Sequence, residues 1–448
     1  MQKEKILEIL NDWNLWKKKL NTGIERAEYI NKALSYLKSN MIIALTGVRR
    51  SGKSFILRQI ASNLAVNGFG TENILIVNLE DRRFEEPTIQ LLDEIYETFL
   101  EYLSPNRKPI IMLDEINRVN NWEKWVRTFH ELQKGKIIVT GSTSELLNGE
   151  LATLLTGRHL DMEVFPLNFN EFLKFNKIDI TDALDVINKR SDIQKLLKDY
   201  IEYGGFPEVV LSNNKKEILL AYFDDIVRKD VVERHSVRKI SKLLTLAKFY
   251  LANISSHITF SSLERYVVIS SDTIEKFSLY LQEVGLIFFL KRFSYSVKEQ
   301  DKSSKIIYTK DIGLANVIGF KFSENYGKMM ENIVAIELMR RSSENRNIEI
   351  FYWKDYSGKE IDFIIKDGLK IKEIIQVCYN IENIKTKDRE TKILIKAMKE
   401  FKLNKALIIT DTFEGKEVVN DGFIEYVPLW KWLLIDNSLH KYNEMNKQ

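Results

Sequence analysis

The run Met41-Ile42-Ile43-Ala44-Leu45-Thr46 passes directly into Gly47-Val48-Arg49-Arg50-Ser51-Gly52-Lys53-Ser54. No other stretch limits the fold so strongly. A short apolar run that ends at a glycine reads as a buried strand, and the residues from Phe55 onward read as a helix. Strand, G-x-x-x-x-G-K-S and helix in this order form a phosphate-binding loop in the context that gives the motif its meaning. Gly47 and Gly52 let the backbone turn tightly. The loop amides from Gly47 through Val48, Arg49, Arg50, Ser51, Gly52, Lys53, Ser54 and Phe55, together with the helix N-terminus, offer positive dipoles to phosphate oxygens. Lys53 is expected to reach the β- and γ-phosphates, and the Ser54 hydroxyl to ligate Mg²⁺. The ligands implied are ATP or ADP with Mg²⁺.

A second apolar run, Lys108-Pro109-Ile110-Ile111-Met112-Leu113, ends in Asp114-Glu115. It reads as a central parallel strand, and α/β sheets place ligands at the carboxyl ends of such strands. Asp114 is expected to hold the Mg²⁺ through water, and Glu115 to orient and deprotonate an attacking water. Phosphoryl transfer asks the protein for little beyond such positioning and charge. A third strand, Lys136 to Thr140, ends in Gly141-Ser142-Thr143-Ser144. Ser142 suits a γ-phosphate sensor; Ser142 or Ser144 also suits a helix cap, and the two uses are compatible. Arg158, in Thr156-Gly157-Arg158, precedes a strand from His159 to Phe165. Ring-forming ATPases place near this point an arginine that reaches the neighbouring subunit's site. The catalytic candidates are therefore Glu115, Lys53, Arg158 and Ser142, and the metal candidates Ser54 and Asp114.

The rest of the chain is read from composition and periodicity. Its 448 residues suffice for about three domains. A formal net charge of +4 permits nucleic-acid binding without demanding it. The single cysteine, Cys378, excludes an intramolecular disulfide and a cysteine metal cluster, and fits a reducing, cytoplasmic compartment. No run approaches the ~18–20 apolar residues of a membrane span, and the N-terminus does not read as a signal peptide. Residues 1–38 read as N-terminal helices, with Trp13 and Trp16 against the core. Residues 39–165 alternate strand and helix, with strands near 41–46, 73–79, 109–113, 136–140 and 159–165; this predicts a three-layer parallel α/β sandwich. Residues 166–235 read as a helical lid, broken at Gly204-Gly205-Phe206-Pro207, where a tight turn or a close approach is expected. Residues 236–320 read as helix, turn, helix and two strands around a charged tip, Val297 to Lys302. This is the winged-helix pattern, usable on DNA or for protein contacts. Its candidate recognition helix, Ile274 to Glu283, carries few bases, notably Lys276.

Residues 321–435 read as a last α/β unit before a tail at 436–448. The order is a helix with Glu331, a strand from Glu349, a strand with Asp362, a strand from Glu373, the helix Asp388 to Phe401, and a strand from Lys405. That is the order of a PD-(D/E)xK nuclease fold. Such an enzyme needs Glu-x-Lys on its third strand; this chain has Gln376-x-Cys378. An amide brings no charge to a metal, and a thiol does not replace an ammonium. Binding without cutting is the expectation.

Together, Gly47 to Ser54, Asp114-Glu115, Thr140-Gly141-Ser142, Gly157-Arg158 and Phe165-Pro166-Leu167 resemble a family of prokaryotic AAA-type ATPases. Its members carry a winged helix and a C-terminal domain of unassigned function related to restriction-type nucleases. The resemblance runs from about Gly23 to Trp432. It implies a P-loop NTPase three-layer sheet with a helical lid, a winged-helix domain and a C-terminal restriction-endonuclease-like α/β domain. It also implies that Gly205 and Pro207, in Tyr203-Gly204-Gly205-Phe206-Pro207, lie beside the nucleotide. The leading function is an ATP-hydrolysing switch or machine that engages DNA through its C-terminal half. An ATP-dependent DNA nuclease, and a nucleotide-gated signalling or scaffold protein with a protein partner, are the alternatives. A homo-oligomer is compatible with each.

Overall fold

Four short apolar runs of the first 165 residues, nearly every residue of them buried, pair into one parallel sheet, and a more polar, half-buried fifth strand is added at its edge. The computed structural model describes residues 1–141, 157–319, 326–419 and 422–438. The strands are β1 (Ile42–Thr46), β2 (Ile74–Asn78), β3 (Ile110–Asp114), β4 (Lys136–Thr140) and β5 (His159–Glu163), in the order β2-β3-β4-β1-β5. All four pairings are parallel. Every residue of β1 and β3 is buried, as expected of strands covered by helices on both sides. The alternation along β1 divides the core. Ile42 and Ala44 join Leu75, Val77, Leu113 and Phe99 on one face; Ile43 and Leu45 join Ile56, Leu57 and Ile60 on the other. The covering helices are α1 (Lys3–Trp13), α2 (Ala27–Tyr36), α3 (Lys53–Val66), α4 (Ile89–Leu103) and α5 (Trp122–Glu131). Helix α3 begins at Lys53, two residues before the expected start, so the lysine belongs to its first turn.

Strand β2 is an edge of this sheet, and the chain closes it with a side chain. Asn14 follows α1 and is 1% exposed. Its Oδ1 accepts from Ile76 N at 2.7 Å, and its Nδ2 donates to Ile76 O at 2.8 Å and to Leu10 O at 2.8 Å. Trp16 Nε1 donates to Ile74 O at 3.0 Å. These bonds occupy edge groups that otherwise invite another strand. Trp13 and Trp16 pack on the core, as the sequence predicts.

The chain divides into two compact units, Met1–Phe165 and Pro166–Gln448. The second unit begins with helices at Phe169–Phe175, Ala183–Asn188, Arg190–Tyr203, Pro207–Leu211 and Lys215–Asp225, the last continuing as a π-helix from Ile226 to Glu233. Helices Ile240–Ala252, Phe260–Val267 and Ser271–Glu283 follow, with a small antiparallel sheet of β6 (Ser256–Ile258), β7 (Ile287–Leu290) and β8 (Lys305–Thr309) in the order β6-β8-β7. The expected charged tip is a short helix, Val297–Lys302. The segment holds no glycine or proline to turn it, and Ser294 Oγ donates to Glu299 Oε2 at 2.8 Å across it.

A six-stranded mixed sheet closes the second unit. It comprises β9 (Ile348–Lys354), β10 (Glu360–Asp367), β11 (Lys370–Cys378), β12 (Lys405–Thr410), β13 (Gly415–Val419) and β14 (Gly422–Pro428), in the order β13-β14-β12-β11-β10-β9. Helix Tyr326–Glu344 precedes it and helix Ile384–Phe401 links β11 to β12. Strands β6, β13 and β14 are not anticipated from sequence. The first has three residues, and β13 exposes Val418 at 80%, so apolar periodicity is weak there. Among the described residues no helix is long and apolar enough to cross a membrane.

Asn14→Leu removes both bonds to Ile76 and strands two buried backbone groups. A loss of about 2–3 kcal/mol is expected, read by urea unfolding of the full chain. Unchanged stability would mean that water serves the β2 edge equally well.

Candidate active site

The phosphate-binding loop lies at the carboxyl end of β1, between β5 and α3. Gly47 has φ +140°, and a Cβ there would lie 2.2 Å from the Val164 carbonyl oxygen. Only glycine permits β5 to pass this close, with Val164 N donating to Thr46 O at 2.7 Å. Ser51 N donates to Val48 O at 3.2 Å and tightens the loop. Arg26, 3% exposed, braces it from the side. Its Nη1 donates to Ser51 O at 2.9 Å and its Nη2 to Phe165 O at 3.0 Å, while its guanidinium lies 4.5 Å from the centre of the Tyr29 ring. Tyr29 Oη accepts from Phe165 N at 3.1 Å. Phe55, one turn into α3, is exposed and packs beside Gly23 and Arg58. Arg49 pairs with Glu80 at 3.8 Å, and Arg50 has φ +68°.

Lys53 is the chemical centre. It is 6% exposed, and its Nζ donates to Gly47 O at 3.1 Å and Val48 O at 3.4 Å. Glu115 Oε1 lies 4.0 Å away. Asp114, 5% exposed, hydrogen-bonds with Ser54, and its Oδ1 accepts from Thr140 Oγ1 at 2.6 Å. Burial pushes its carboxyl up against these bonds and the Lys53 charge. Glu115 has φ +53° and its N donates to the same Thr140 Oγ1 at 3.0 Å. Burial pushes the Glu115 carboxyl up to about 7, with Lys53 opposing. Thr140 thus fixes both acids, a role that sequence alone does not reveal; its only signal is its place at the end of the strand beside β1.

The site fits a nucleotide polyphosphate with a divalent ion. The fit rests on a buried ammonium served only by loop carbonyls among its hydrogen bonds, and on two buried hydroxyls, Ser51 Oγ and Thr46 Oγ1, with no hydrogen-bond partner among the described residues. Lys53 would face the phosphates, and Ser54 and Asp114 would hold the Mg²⁺.

Other expected residues lie elsewhere. Ser142 falls outside the described residues. Arg158 lies at the opposite end of the strands from the loop: its carbonyl accepts from Ile42 N at 2.9 Å, at the start of β1. Four strand steps, about 13 Å, separate that point from Thr46. Its guanidinium pairs with Glu131 at 3.3 Å and is 38% exposed. The structure thus does not bring Arg158 together with Lys53, Asp114 and Glu115.

Gly205 and Pro207 belong to the second unit, where the Gly-Gly break receives a carboxylate. Gly204 has φ +74°, and a Cβ there would lie 2.1 Å from Asp311 Oδ1. Gly205 N donates to Asp311 Oδ2 at 2.7 Å and Gly313 N to Oδ1 at 3.0 Å. Asp311 is 3% exposed, and burial pushes its carboxyl up to about 7. Leu167 N donates to Gly205 O at 2.7 Å. Pro207 opens the helix Pro207–Leu211. The expected close approach is thus made by the chain's own Asp311, whose distance in sequence hid it.

A second acid pair joins Asp362 on β10 of the six-stranded sheet and Glu331 on the helix Tyr326–Glu344. Asp362 Oδ2 accepts from Val377 N at 2.8 Å and its Oδ1 from Gln376 Nε2 at 3.2 Å. Glu331 Oε1 accepts from Tyr308 Oη at 2.7 Å. Burial pushes Glu331 up to about 7; burial and the neighbouring Glu331 charge hold Asp362 well above the usual carboxylate range. Cys378 is buried, its thiol pushed up to about 11. No cluster of three or more metal-ligating side chains occurs among the described residues.

Residues 39–173 match the family described as AAA domain; residues 194–324 and 326–432 match two families described as domains of unknown function (DUF8612 and DUF4143). The uncharacterized protein MJ1544 of Methanocaldococcus jannaschii is 37% identical over 426 residues, covering 92% of each chain. An uncharacterized protein of Haemophilus influenzae is 32% identical, covering 92% of this chain and 98% of its own. The Walker-type ATPase PABY2304 of Pyrococcus abyssi aligns at 15% identity with a TM-score of 0.44, over 68% of this chain and 99% of that one.

Thr140→Val keeps the shape and removes the hydroxyl that holds Asp114 and Glu115. Turnover is expected to fall about 10–100-fold, since misplaced catalytic groups cost that much, with Thr140→Ser restoring most of it. Equal ATPase rates in Thr140→Val and the parent would detach the threonine from the site.

Proposed function

The chain belongs to the family of AAA-domain proteins that includes these relatives, and from that membership we propose that it hydrolyses ATP with Mg²⁺ as a switch or machine. The observation that carries this reading is the buried Lys53 ammonium, 4.0 Å from Glu115 and beside an Asp114 held by Ser54 and Thr140. Bound Mg²⁺ supplies charge neutralisation and a template for the phosphate oxygens. Lys53 exchanges the carbonyls of Gly47 and Val48 for β- and γ-phosphate oxygens. Ser54 and Asp114 orient the ion. Glu115, poised near neutral pH by burial, takes the proton of the attacking water; a base with that affinity suits work at pH 7. Ser142 reads the γ-phosphate. Gly205 and Pro207 border the nucleotide, carried by a segment that Asp311 anchors.

Arg158 acts in trans. It sits exposed at the end of the strands opposite its own loop, which suits reaching into a neighbouring subunit of a homo-oligomer. Release from Glu131 accompanies assembly.

The second unit engages DNA and does not cut it. Three helices with the β6-β8-β7 sheet support a winged-helix reading of residues 236–320, and a helix, three antiparallel strands, a helix and a parallel strand support a PD-(D/E)xK-like reading of the six-stranded sheet. Gln376 turns its amide onto Asp362, where a metal-binding acid would be needed, and two carboxyls pushed toward their neutral forms hold a cation poorly.

Lys53→Ala is expected to abolish tight ATP binding, whereas Glu115→Gln binds ATP and turns over at least ~100-fold more slowly. Calorimetry and phosphate release read the two effects; unchanged affinity in Lys53→Ala would sink the assignment. Arg158→Ala should lose about 10³-fold in rate. Mixing it with Lys53→Ala subunits should restore part of the activity, because each variant supplies what the other lacks. Full activity of Arg158→Ala alone would end the trans reading.

A further inference from the structure

Five basic residues stand on one face of the helix Ile384–Phe401. Lys385, Arg389, Lys392, Lys396 and Lys399 are all exposed. Their spacing of four, three, four and three residues confines them to about 80° of arc and spreads them over about 21 Å. The opposite face holds the helix in place through buried Ile393, Leu394, Ala397 and Met398. Lys396 pairs with Asp355 at 2.6 Å and Arg389 with Glu390 at 2.5 Å. No ion pair engages Lys385, Lys392 or Lys399 among the described residues. Exposed acids on this helix, Asp388 and Glu400, flank the stripe and do not interrupt it.

We infer that this stripe is a track for the phosphate backbone of duplex DNA; the inference rests on the DNA-engaging reading above and names the surface. A duplex 21 Å long presents about 12 phosphate charges, so the five cations meet a dense, regular counter-charge. An anionic membrane fits less well. Surface helices bind lipid by inserting an apolar face, and here that face is buried in the sheet. The winged-helix candidate fits less well too. Helix Ser271–Glu283 carries Asp272, Glu275 and Glu283 against Lys276, a sign that repels phosphate. Arg389, the second residue of the stripe, feels the Asp362 charge.

The test uses the full chain and a fluorescent duplex of about 30 base pairs, with anisotropy followed from about 50 to 200 mM KCl. The triple variant Lys385→Gln, Lys392→Gln, Lys399→Gln should bind at least ~10-fold more weakly near 100 mM salt, and its log–log salt slope should drop by about 2–3. The same positions changed to Arg should bind like the parent, which separates charge from folding. Lys17→Gln, Lys18→Gln, Lys19→Gln removes equal charge from the first unit and should leave binding intact. If the parent binds and the track variant binds equally well, or the control loses as much, the track is wrong and the DNA reading stands. If the parent binds no duplex, or binds only anionic lipid vesicles, both are wrong.

Discussion

Burying the Lys53 ammonium is the constraint around which the first unit is arranged. A cation 6% exposed is tolerated only where dipoles and counter-charges replace water. Carbonyls of Gly47 and Val48 and the nearby Glu115 do this. Four strands of the unit serve that arrangement. Strand β1 delivers the loop, β3 delivers the acids, β4 delivers the Thr140 hydroxyl that aligns them, and β5 runs close enough to Gly47 to exclude any side chain there. The arrangement is poised for exchange, because phosphate oxygens satisfy the same ammonium better than neutral carbonyls do.

The same logic of far partners recurs through the molecule. Arg26 ties Ser51 to Phe165; Asn14 completes the hydrogen bonding of Ile76; Asp311 fills the turn at Gly204-Gly205. In each case one buried polar side chain satisfies backbone groups of a distant segment. Such contacts cost much to break, since each leaves a backbone donor or acceptor unpaired in a dry site.

The second unit places acids and bases differently. Glu331 and Asp362 are half-buried and answered by neutral donors, Tyr308 and Gln376. Lys385, Lys392 and Lys399 stand in solvent on one stripe. Positive charge is thus displayed on the outer helix of this sheet, the distribution on which the proposed phosphate track rests.

The loop and the acids of the first site were legible in the sequence because they are local. Gly47 to Ser54 and Asp114-Glu115 are continuous segments whose residue types and neighbouring strands dictate their use, and alternating strands and helices dictate a parallel sheet. The basic stripe was written there too, in a spacing of four and three residues, but only an outward-facing helix gives it meaning. What the tertiary structure decided are the partnerships across the chain. Thr140 meets Asp114 and Glu115 because β4 lies beside β3; Arg158 lies at the far end of the strands from its own loop because β5 runs parallel to β1; Asp311 occupies the Gly-Gly turn. No local pattern encodes these, because strand order and the packing of distant segments set which polar groups are buried together, and only burial makes their pairing obligatory.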